Sequence, residues 1–376
     1  MKLKIGLILP GSYILPSMSK DFKKGFELAI NEKNLPNINI QSEFVNQGGK
    51  ADVQKASEKL IQHNDVDVLV GIISTVVSQH LKDFYQSMKI PILLNNLGED
   101  IFLKSDMSDF YFLNGMHLWK SQWALGNWAQ TQFGGDTSLC MTIYDAGYHL
   151  HEAYRLGSAA AGGEKAHYNV LKIQPGIVNT QSLIESILLQ KPKHVHAILC
   201  GKDAEDFWMQ YHKAGLLGKI PLTVSPFFFS TFEGNETNTG NVFSASSWTD
   251  IANKENELFL DAYEKEYELP TSSFSFMGYE TGLLLAEAII QSKTKKELAA
   301  QLKKATVNGP RGEVSYDFSV SANDSKIWLK ELEIQETGEQ IIKSSEVIKG
   351  PEYENAALQR IPQGAVSGWQ NPYLCI

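Results

Sequence analysis

The stretch Asp67–Pro91, DVLVGIISTVVSQHLKDFYQSMKIP, combines a strand pattern, a polar loop and a helix pattern. The strand is predicted at Val68–Val70, a short apolar run closed by Gly71, as in a strand buried on both faces. Ligands of a parallel sheet bind beyond the carboxyl ends of its strands, where hydroxyl and backbone N–H groups face outward. Ser74 and Thr75 occupy that place, so they are candidates for ligand binding, with capping of the following helix as the equal alternative.

The second half of this stretch predicts one helix and the start of another strand. Leu81, Phe84, Tyr85 and Met88 are spaced so that they share the buried face of the helix. The strand that follows is predicted to begin at Ile90–Leu94, an apolar run that contains a proline near its start. A strand, a loop and a helix followed by a strand are typical of a parallel sheet.

Strands and helices alternate on both sides of this stretch. Leu3–Leu9 and Ile38–Asn46 are predicted strands before it, and the pattern restarts near residue 113. Leu139–Tyr144 is then the first strand of a second series, which continues to Val195–Cys200 and beyond. The alternation predicts an α/β fold of two similar lobes, each a parallel sheet with helices on both faces. The two series are too long to be repeats of a solenoid.

The last third of the sequence does not begin a third series. Two helices are predicted at Asn256–Glu266 and Gly278–Ile290, and two strands at Val314–Phe318 and Lys326–Ile334. From about Pro351 the chain shows little period, and an irregular tail is expected. At 376 residues the chain suits two domains of ordinary size.

Composition and charge exclude several classes of protein. With 43% hydrophobic and 20% charged residues, the chain has the composition of a soluble globular protein. The net charge of -9 argues against a nucleic-acid partner, because binding of phosphates needs a basic face. No apolar run approaches the roughly 20 residues that span a bilayer. Met1–Gly6 leads directly into a strand, so we expect either a cytoplasmic protein or a mature form whose leader has been removed.

The cysteines and histidines do not form a recognisable metal or catalytic motif. Cys140, Cys200 and Cys375 are an odd number at no metal-like spacing, and the first two lie in apolar strands, where a free cysteine is most often a packing residue. The histidines form two pairs with members two residues apart, His149 with His151 and His194 with His196. Neither pair has an acidic partner at helical spacing, so exposed side chains that bind no metal are the better interpretation.

Signatures of enzymes and of DNA-binding regulators are also absent from the sequence. It contains no dinucleotide fingerprint, since the glycines around Gly6 and Gly11 fail its spacing, and no nucleophile elbow. A regulator with a two-lobe sensor would need a helix-turn-helix before the first strand, and the sequence begins at that strand. We therefore expect no catalytic residue, no metal and no cofactor.

The order of these elements resembles the type I periplasmic ligand-binding proteins, and more specifically the branched-chain amino-acid (Leu/Ile/Val) binding family that serves ABC importers. The similarity extends over nearly the whole chain, and it is the order and spacing of many short pieces that carry it. These pieces are Lys4-Ile5-Gly6, Gly25–Asn31, Val70-Gly71 before Ser74-Thr75, Ile90-Pro91-Ile92, Tyr144-Asp145 before Tyr148, Gly201, Phe259 with Tyr263, Gly278–Thr281, and Gly309–Val314 with Tyr316-Asp317-Phe318.

The resemblance implies two Rossmann-like lobes joined by three crossings of the chain, with a ligand bound in the cleft between them. Lobe one would comprise residues 1–116 and 249–320, and lobe two would comprise residues 117–248 and 321–376. The family captures a small molecule by closure of the lobes and presents it to an ABC permease in the membrane. The implied protein is monomeric and is located in the periplasm or outside the cell, after removal of a leader that this sequence does not contain.

The resemblance also places residues of lobe one and lobe two at the ligand. In the family, hydroxyl groups of a loop after the third strand bind the ligand's carboxylate, and Ser74 and Thr75 match that loop. The next contact loop falls on Asn95 and Asn96, where the family often has small residues, so these asparagines could bind a polar group. The tyrosine that follows the first strand of lobe two matches Tyr148.

One departure from the family concerns the acidic residue of lobe two that commonly binds an amino acid's ammonium group. The corresponding turn is Ser225-Pro226-Phe227-Phe228-Phe229 here, and it contains no acid. Asp203 and Asp145 are the nearby carboxylates, and neither aligns cleanly, although Asp203 is retained as a candidate.

The expected ligand is a small carboxylate with an apolar or aromatic portion, either an amino acid or an aromatic acid. Four aromatic side chains are expected to line its site, and they are Tyr13, Tyr148, Phe227 and Trp248. At least one phenylalanine of the run 227–229 is expected to belong to the core instead. The alternative functions are the ligand-sensing domain of a receptor and a binder of an amide or peptide-type ligand.

Overall fold

A computed structural model describes residues 2–102, 107–172, 177–228, 241–249, 253–316, 326–335 and 340–351. These residues divide into two compact units, each built from separate stretches of the chain. The first unit contains the described residues up to His117 and those from Trp248 to 316. The second contains the described residues from Leu118 to Ser247 and from Lys326 to 351. Both units are α/β, as the sequence predicted.

The amino-terminal part of the first unit is a series of βα units. Its elements are β1 (Leu3–Leu9), α1 (Met18–Glu32), β2 (Ile38–Phe44), α2 (Lys50–Glu58) with the π turn Lys59–His63, β3 (Val68–Ile72), α3 (Thr75–His80), α4 (Lys82–Met88), β4 (Ile92–Asn96) and β5 (Tyr111–Gly115). The five strands form one parallel sheet in the order β2-β1-β3-β4-β5. The chain therefore reverses its direction of winding between β1 and β3, the place where α/β sheets bind ligands.

Two details of the first unit differ from the sequence prediction. The predicted single helix is divided at Leu81, which ends α3 and precedes α4 with a non-helical backbone (φ -102, ψ 5). Leu81 and Tyr85 are nevertheless buried, because each helix turns its apolar side to the sheet. The strand Tyr111–Gly115 was not predicted, since it directly precedes the helix at which the pattern restarts.

The second unit begins with a long helix. Its elements are α5 (Leu118–Phe133), β6 (Thr137–Thr142), the 3-10 turn Asp145–Gly147, α6 (Leu150–Ala160), β7 (Ala166–Leu171), α7 (Gln181–Gln190), β8 (His194–Ile198), α8 (Gly201–Lys213), β9 (Leu222–Val224) and β10 (Val242–Ser246). The predicted strands Leu139–Tyr144 and Val195–Cys200 are present as β6 and β8, with ends that differ by one or two residues. These five strands pair with one another in parallel.

The last third of the chain completes both units. Its elements are α9 (Lys254–Tyr267), α10 (Ser273–Gln291), the 3-10 turn Lys295–Glu297, α11 (Leu298–Leu302), β11 (Thr306–Gly309), β12 (Gly312–Ser315), β13 (Ile327–Ile334) and β14 (Gln340–Ile348). α9–β12 belong to the first unit, whereas β13 and β14 add antiparallel strands to the second sheet, in the order β14-β13-β10-β9-β8-β6-β7. β14 was not predicted. The predicted tail lies in residues 352–376, outside the described residues, as do 317 and 318 of the predicted strand Val314–Phe318.

Each unit contains a pair of helices that pack with their backbones in contact. In the first unit, a methyl group at Gly278 of α10 would overlap the Phe22 carbonyl oxygen of α1. In the second, a methyl group at Gly126 of α5 would overlap the carbonyl oxygen of Tyr154 in α6. Only glycine permits such an approach, which explains glycines in the interior of otherwise apolar helices.

The structure corrects the predictions for one cysteine and three histidines. Cys140 is free and buried, as a packing residue should be, but Cys200 is disulfide-bonded. Cys375 lies outside the described residues. His194 and His196 are fully buried and His149 nearly so, so the prediction of exposed side chains was wrong.

The sheet of the second unit places these histidines in its interior. His196 stacks on Tyr154 with ring centroids 3.8 Å apart, and its Nδ1 lies 3.0 Å from the Thr223 hydroxyl. Burial lowers the pKa of His196 to about 3 and that of His194 to about 4. Among the described residues, no group of three or more histidine, cysteine or acidic side chains is arranged to hold a metal ion. None of the described helices is long and apolar enough to cross a membrane.

Candidate functional site

The loop between β3 and α3 lies at the carboxyl edge of the first sheet. Ser74 is the N-cap of α3, and its Oγ accepts a hydrogen bond from the Val77 backbone N–H at 3.3 Å. Thr75 is the first helical residue, and its Oγ1 accepts a hydrogen bond of 3.4 Å from the Asn96 side-chain amide. Both side chains are buried. A hydroxyl that accepts one hydrogen bond retains its own hydrogen, so each of these side chains can still donate to a ligand.

The backbone N–H of Thr75 has an acidic partner that the sequence analysis missed. It donates a hydrogen bond of 3.0 Å to Oε1 of Glu99. Glu99 is only 1% exposed, and its second oxygen, Oε2, is buried without a hydrogen-bond partner among the described residues. Thr75, Asn96 and Glu99 are thus brought together by the ends of two neighbouring strands, β3 and β4.

The electrostatics of Glu99 are unusual for a carboxylate. Burial raises its pKa to about 8, and the charge of the adjacent Asp100 adds to the rise. Backbone hydrogen bonds from Thr75, Leu97 and its own N–H favour the charged form and oppose these two effects. A carboxyl that is buried, shifted and partly unsatisfied at the edge of a parallel sheet is a candidate functional group.

The two asparagines at the end of β4 have different surroundings. The Asn95 amide nitrogen donates to the carbonyl oxygens of Gly71 and Leu93, and its Oδ1 accepts a 2.6 Å hydrogen bond from the Thr281 hydroxyl. These bonds hold neighbouring elements of the first unit together. Asn96 bonds instead to Thr75, and its Oδ1 accepts from the backbone N–H of the glycine at position 98. The contacts of Asn95 are structural, whereas Asn96 adjoins the candidate site.

Two predicted aromatic residues of the first unit lie in different settings. Tyr13, in the loop after β1, is 88% exposed. Trp248 is half-buried; its Nε1 donates to Oδ1 of Asn256 at 2.8 Å, and its ring stacks on Phe276 at 4.7 Å. Trp248 therefore has polar and aromatic partners inside the first unit, and Tyr13 presents its ring to solvent.

The second unit carries the remaining predicted residues at the carboxyl ends of its strands. Tyr148 follows the 3-10 turn after β6 and is buried. Phe227 is buried in the turn after β9, and Phe228 packs against Phe207 in the core, as expected of one member of that run. Phe229 lies outside the described residues.

The two aspartates of this unit have raised pKa values for related reasons. The Asp145 carboxylate accepts hydrogen bonds from the Thr142 hydroxyl at 2.6 Å and from the Thr142 backbone N–H at 3.2 Å. Burial raises its pKa to about 7, with a smaller contribution from the charge of Asp203. Asp203 is half-buried in the first turn of α8, and burial and Asp206 raise its pKa. Asp145 thus stabilises its own turn, and Asp203 is the more available of the two carboxylates.

Comparison with known proteins identifies the family whose members share this sequence pattern. The family described as "Periplasmic binding protein" matches residues 2–333. No curated protein matches the sequence significantly.

Solved structures of ABC-transporter binding proteins share the fold at low sequence identity. A solute-binding protein from R. palustris in complex with benzoate is 23% identical, with a TM-score of 0.73 over 94% of this chain and 99% of that chain. The substrate-binding protein from Sphaerobacter thermophilus is 20% identical, with a TM-score of 0.78 over 94% and 99%. The branched-chain amino-acid binding protein LivJ from Streptococcus pneumoniae, in complex with isoleucine, is 16% identical, with a TM-score of 0.73 over 93% and 100%.

Proposed function

The chain belongs to the periplasmic binding protein family, and we propose that it is the solute-binding component of an ABC importer. Members of this family bind small molecules and do not transform them, so the chain is a binding protein and not an enzyme. The family match over residues 2–333 supports this proposal, since it spans both series of βα units.

The ligand that we propose is a small carboxylate with an apolar or aromatic body. The observation that carries this proposal is the buried pair of hydroxyls at the carboxyl edge of β3, Ser74 and Thr75, each with a hydrogen left to donate. Hydroxyl donors satisfy a carboxylate without a full counter-charge. Benzoate and isoleucine, the ligands of two structural neighbours, are both carboxylates with apolar bodies.

The proposed delivery of the ligand is the mechanism of the family. The two lobes close on the ligand, and a membrane permease receives it from the closed, monomeric protein. We place the protein outside the cytoplasm, as its family name implies. The disulfide at Cys200 supports this location, because disulfides persist in oxidising compartments and are rare in the cytosol.

Thermal unfolding of the purified protein tests the ligand class. Branched-chain and aromatic amino acids and benzoate-type acids are added separately at about 1 mM. A ligand present at 100 times its dissociation constant stabilises the folded state by about 2.7 kcal/mol, which raises the melting temperature by several degrees. A raised melting temperature with at least one of these carboxylates is expected. If none of them changes it, and an amide or a peptide does, the proposed ligand class is wrong.

A further inference from the structure

The carboxyl group of Glu99 accepts hydrogen bonds from backbone N–H groups beside the proposed carboxylate site. Its Oε1 accepts a hydrogen bond from the backbone N–H of Thr75. The backbone N–H groups of Leu97 and of Glu99 itself also donate to this side chain. A ligand carboxylate at this loop therefore has the Ser74 and Thr75 hydroxyls as donors, and the backbone N–H of Thr75 is already used.

Oε2 of Glu99 lacks a partner. This buried oxygen makes no hydrogen bond to the described residues, and because burial raises the pKa of Glu99 to about 8, the ligand-free carboxyl is largely protonated at neutral pH. Within the same described residues, no lysine or arginine forms an ion pair with Glu99. Asp100 adds further negative charge next to it. A ligand that brings a cationic donor would favour the charged form of this carboxyl and give its unpaired oxygen a hydrogen bond.

We propose that Glu99 binds the ammonium group of an amino-acid ligand, so that the first unit recognises both charged groups of a zwitterion. This inference rests on the proposed function and narrows its ligand to amino acids, leaving out aromatic acids that have no amine. An α-amino acid carries its carboxylate and its ammonium on one carbon atom, so both reach one small site. The Ser74 and Thr75 hydroxyls bind the first group, and Oε2 of Glu99 binds the second.

Two sequence features agree with this assignment. The turn 225–229 of the second unit has no acid where the resembling family commonly binds the ammonium, so a partner for that group is missing there. Glu99 supplies a carboxylate in the first unit, three residues after β4 ends at Asn96. The apolar body of the ligand would then decide which amino acid is bound.

Isothermal titration calorimetry with matched ligands tests the role of Glu99. The full chain, dialysed exhaustively to remove any molecule from the cell, is titrated with leucine against 4-methylpentanoate and with phenylalanine against 3-phenylpropanoate. Each pair differs by the amine alone. We expect at least one amino acid to bind about 30-fold or more tightly than its partner, as for a buried charge pair that loses one member. Glu99→Gln should remove this preference by weakening the amino acid alone.

The variants and ligands together separate the possible outcomes. Glu264→Gln, at an exposed position of α9, is the matched control and should keep the preference. Equal affinity for both members of each pair would overturn the role of Glu99 and leave the proposed function standing, as would an unchanged preference in Glu99→Gln. Binding of neither member of either pair would overturn both proposals. If Glu99→Gln does not fold, Glu99→Asp replaces it, because the shortened carboxylate should reduce the preference without abolishing it.

Discussion

At the scale of single residues, Thr75 tests the carboxylate site directly. Thr75→Val keeps the shape of the side chain and removes the hydroxyl that should donate to the ligand. Affinity should fall about 10-fold or more, as expected when one hydrogen bond to a charged group is lost. The free energy of unfolding should fall by only about 1 kcal/mol, because the Asn96 amide loses one acceptor. Both are measured by calorimetry, with Thr306→Val at an exposed strand position as the control. Undiminished affinity would remove Thr75 from the site.

The raised pKa of Glu99 predicts a pH dependence for the ligand-free protein. An ordinary glutamate in the unfolded chain titrates near 4.5, and Glu99 titrates at about 8 in the folded protein. The folded state therefore binds an extra proton between these values, and the stability that Glu99 contributes in acid is lost as the pH rises through this window. Glu99→Gln removes the titration, so its free energy of unfolding relative to the wild type should increase between pH 5 and pH 8 by on the order of 1–4 kcal/mol.

Denaturant unfolding at several pH values measures this difference. Asp100, whose charge contributes to the raised pKa of Glu99, is present in both the wild type and the variant, so its own titration largely cancels in the difference. A difference that stays constant from pH 5 to pH 8 would mean that Glu99 is not a shifted carboxyl, and it would leave its hydrogen bond to Thr75 as a purely structural contact.

At the scale of elements, the close packing of α1 and α10 sets the core of the first unit. Gly278→Ala would force the two helix backbones apart, since the new methyl group overlaps the Phe22 carbonyl oxygen. We expect a loss of about 1–3 kcal/mol, as for other overpacked interiors, although alanine favours a helix by itself. Gly49→Ala, where an added methyl group has open space, is the control and should cost less. Equal losses in the two variants, measured by urea unfolding, would contradict the close approach.

A buried ion pair joins the β11–β12 turn to α10 and β5 in the first unit. Arg311, in the turn between β11 and β12, donates to both carboxylate oxygens of Glu280 in α10, which is fully buried, and to the Gly115 carbonyl oxygen of β5. Arg311→Met leaves the Glu280 carboxylate without its partner, so we expect a loss of about 3–5 kcal/mol. Lys303→Met, which removes the exposed ion pair with Asp109, should cost less than about 1 kcal/mol. Similar effects of the two substitutions in urea unfolding would show that Arg311 does not stabilise this junction.

The burial of individual elements explains which of them could be predicted from the sequence. Strands β1, β3 and β4 are rich in aliphatic residues because nearly all of their positions are buried, and this pattern was sufficient to place them. β14 lies at the edge of its sheet, and the four polar residues Lys343–Glu346 at its centre leave neither an apolar run nor an alternating pattern. The place of Ser74 and Thr75 beyond the carboxyl end of β3 could be predicted because it follows from the order of strand and helix. Glu99 was missed because its burial depends on contact with Thr75, 24 residues away, which no local pattern records.

At the scale of the whole molecule, both units depend on chain that is synthesised last. The first unit needs α10, which packs on α1, and the second sheet needs β13, which pairs with β10. A chain that ends at residue 247 contains all of the first two series of βα units and lacks these elements. It would expose the apolar face of α1 and leave β10 as an unpaired edge.

We therefore expect the fragment 1–247 to lack cooperative unfolding, because each unit is missing part of its core. Circular dichroism against urea should show a broad, shallow transition in the fragment and a sharp one in the full chain, and limited proteolysis should degrade the fragment much faster. The fragment 1–316 restores the described elements of the first unit and supplies the comparison. It should regain one cooperative transition, because α10 again covers α1. A sharp transition in the fragment 1–247 would mean that the βα series fold without the returning chain, and that α10 only adds to a core already complete.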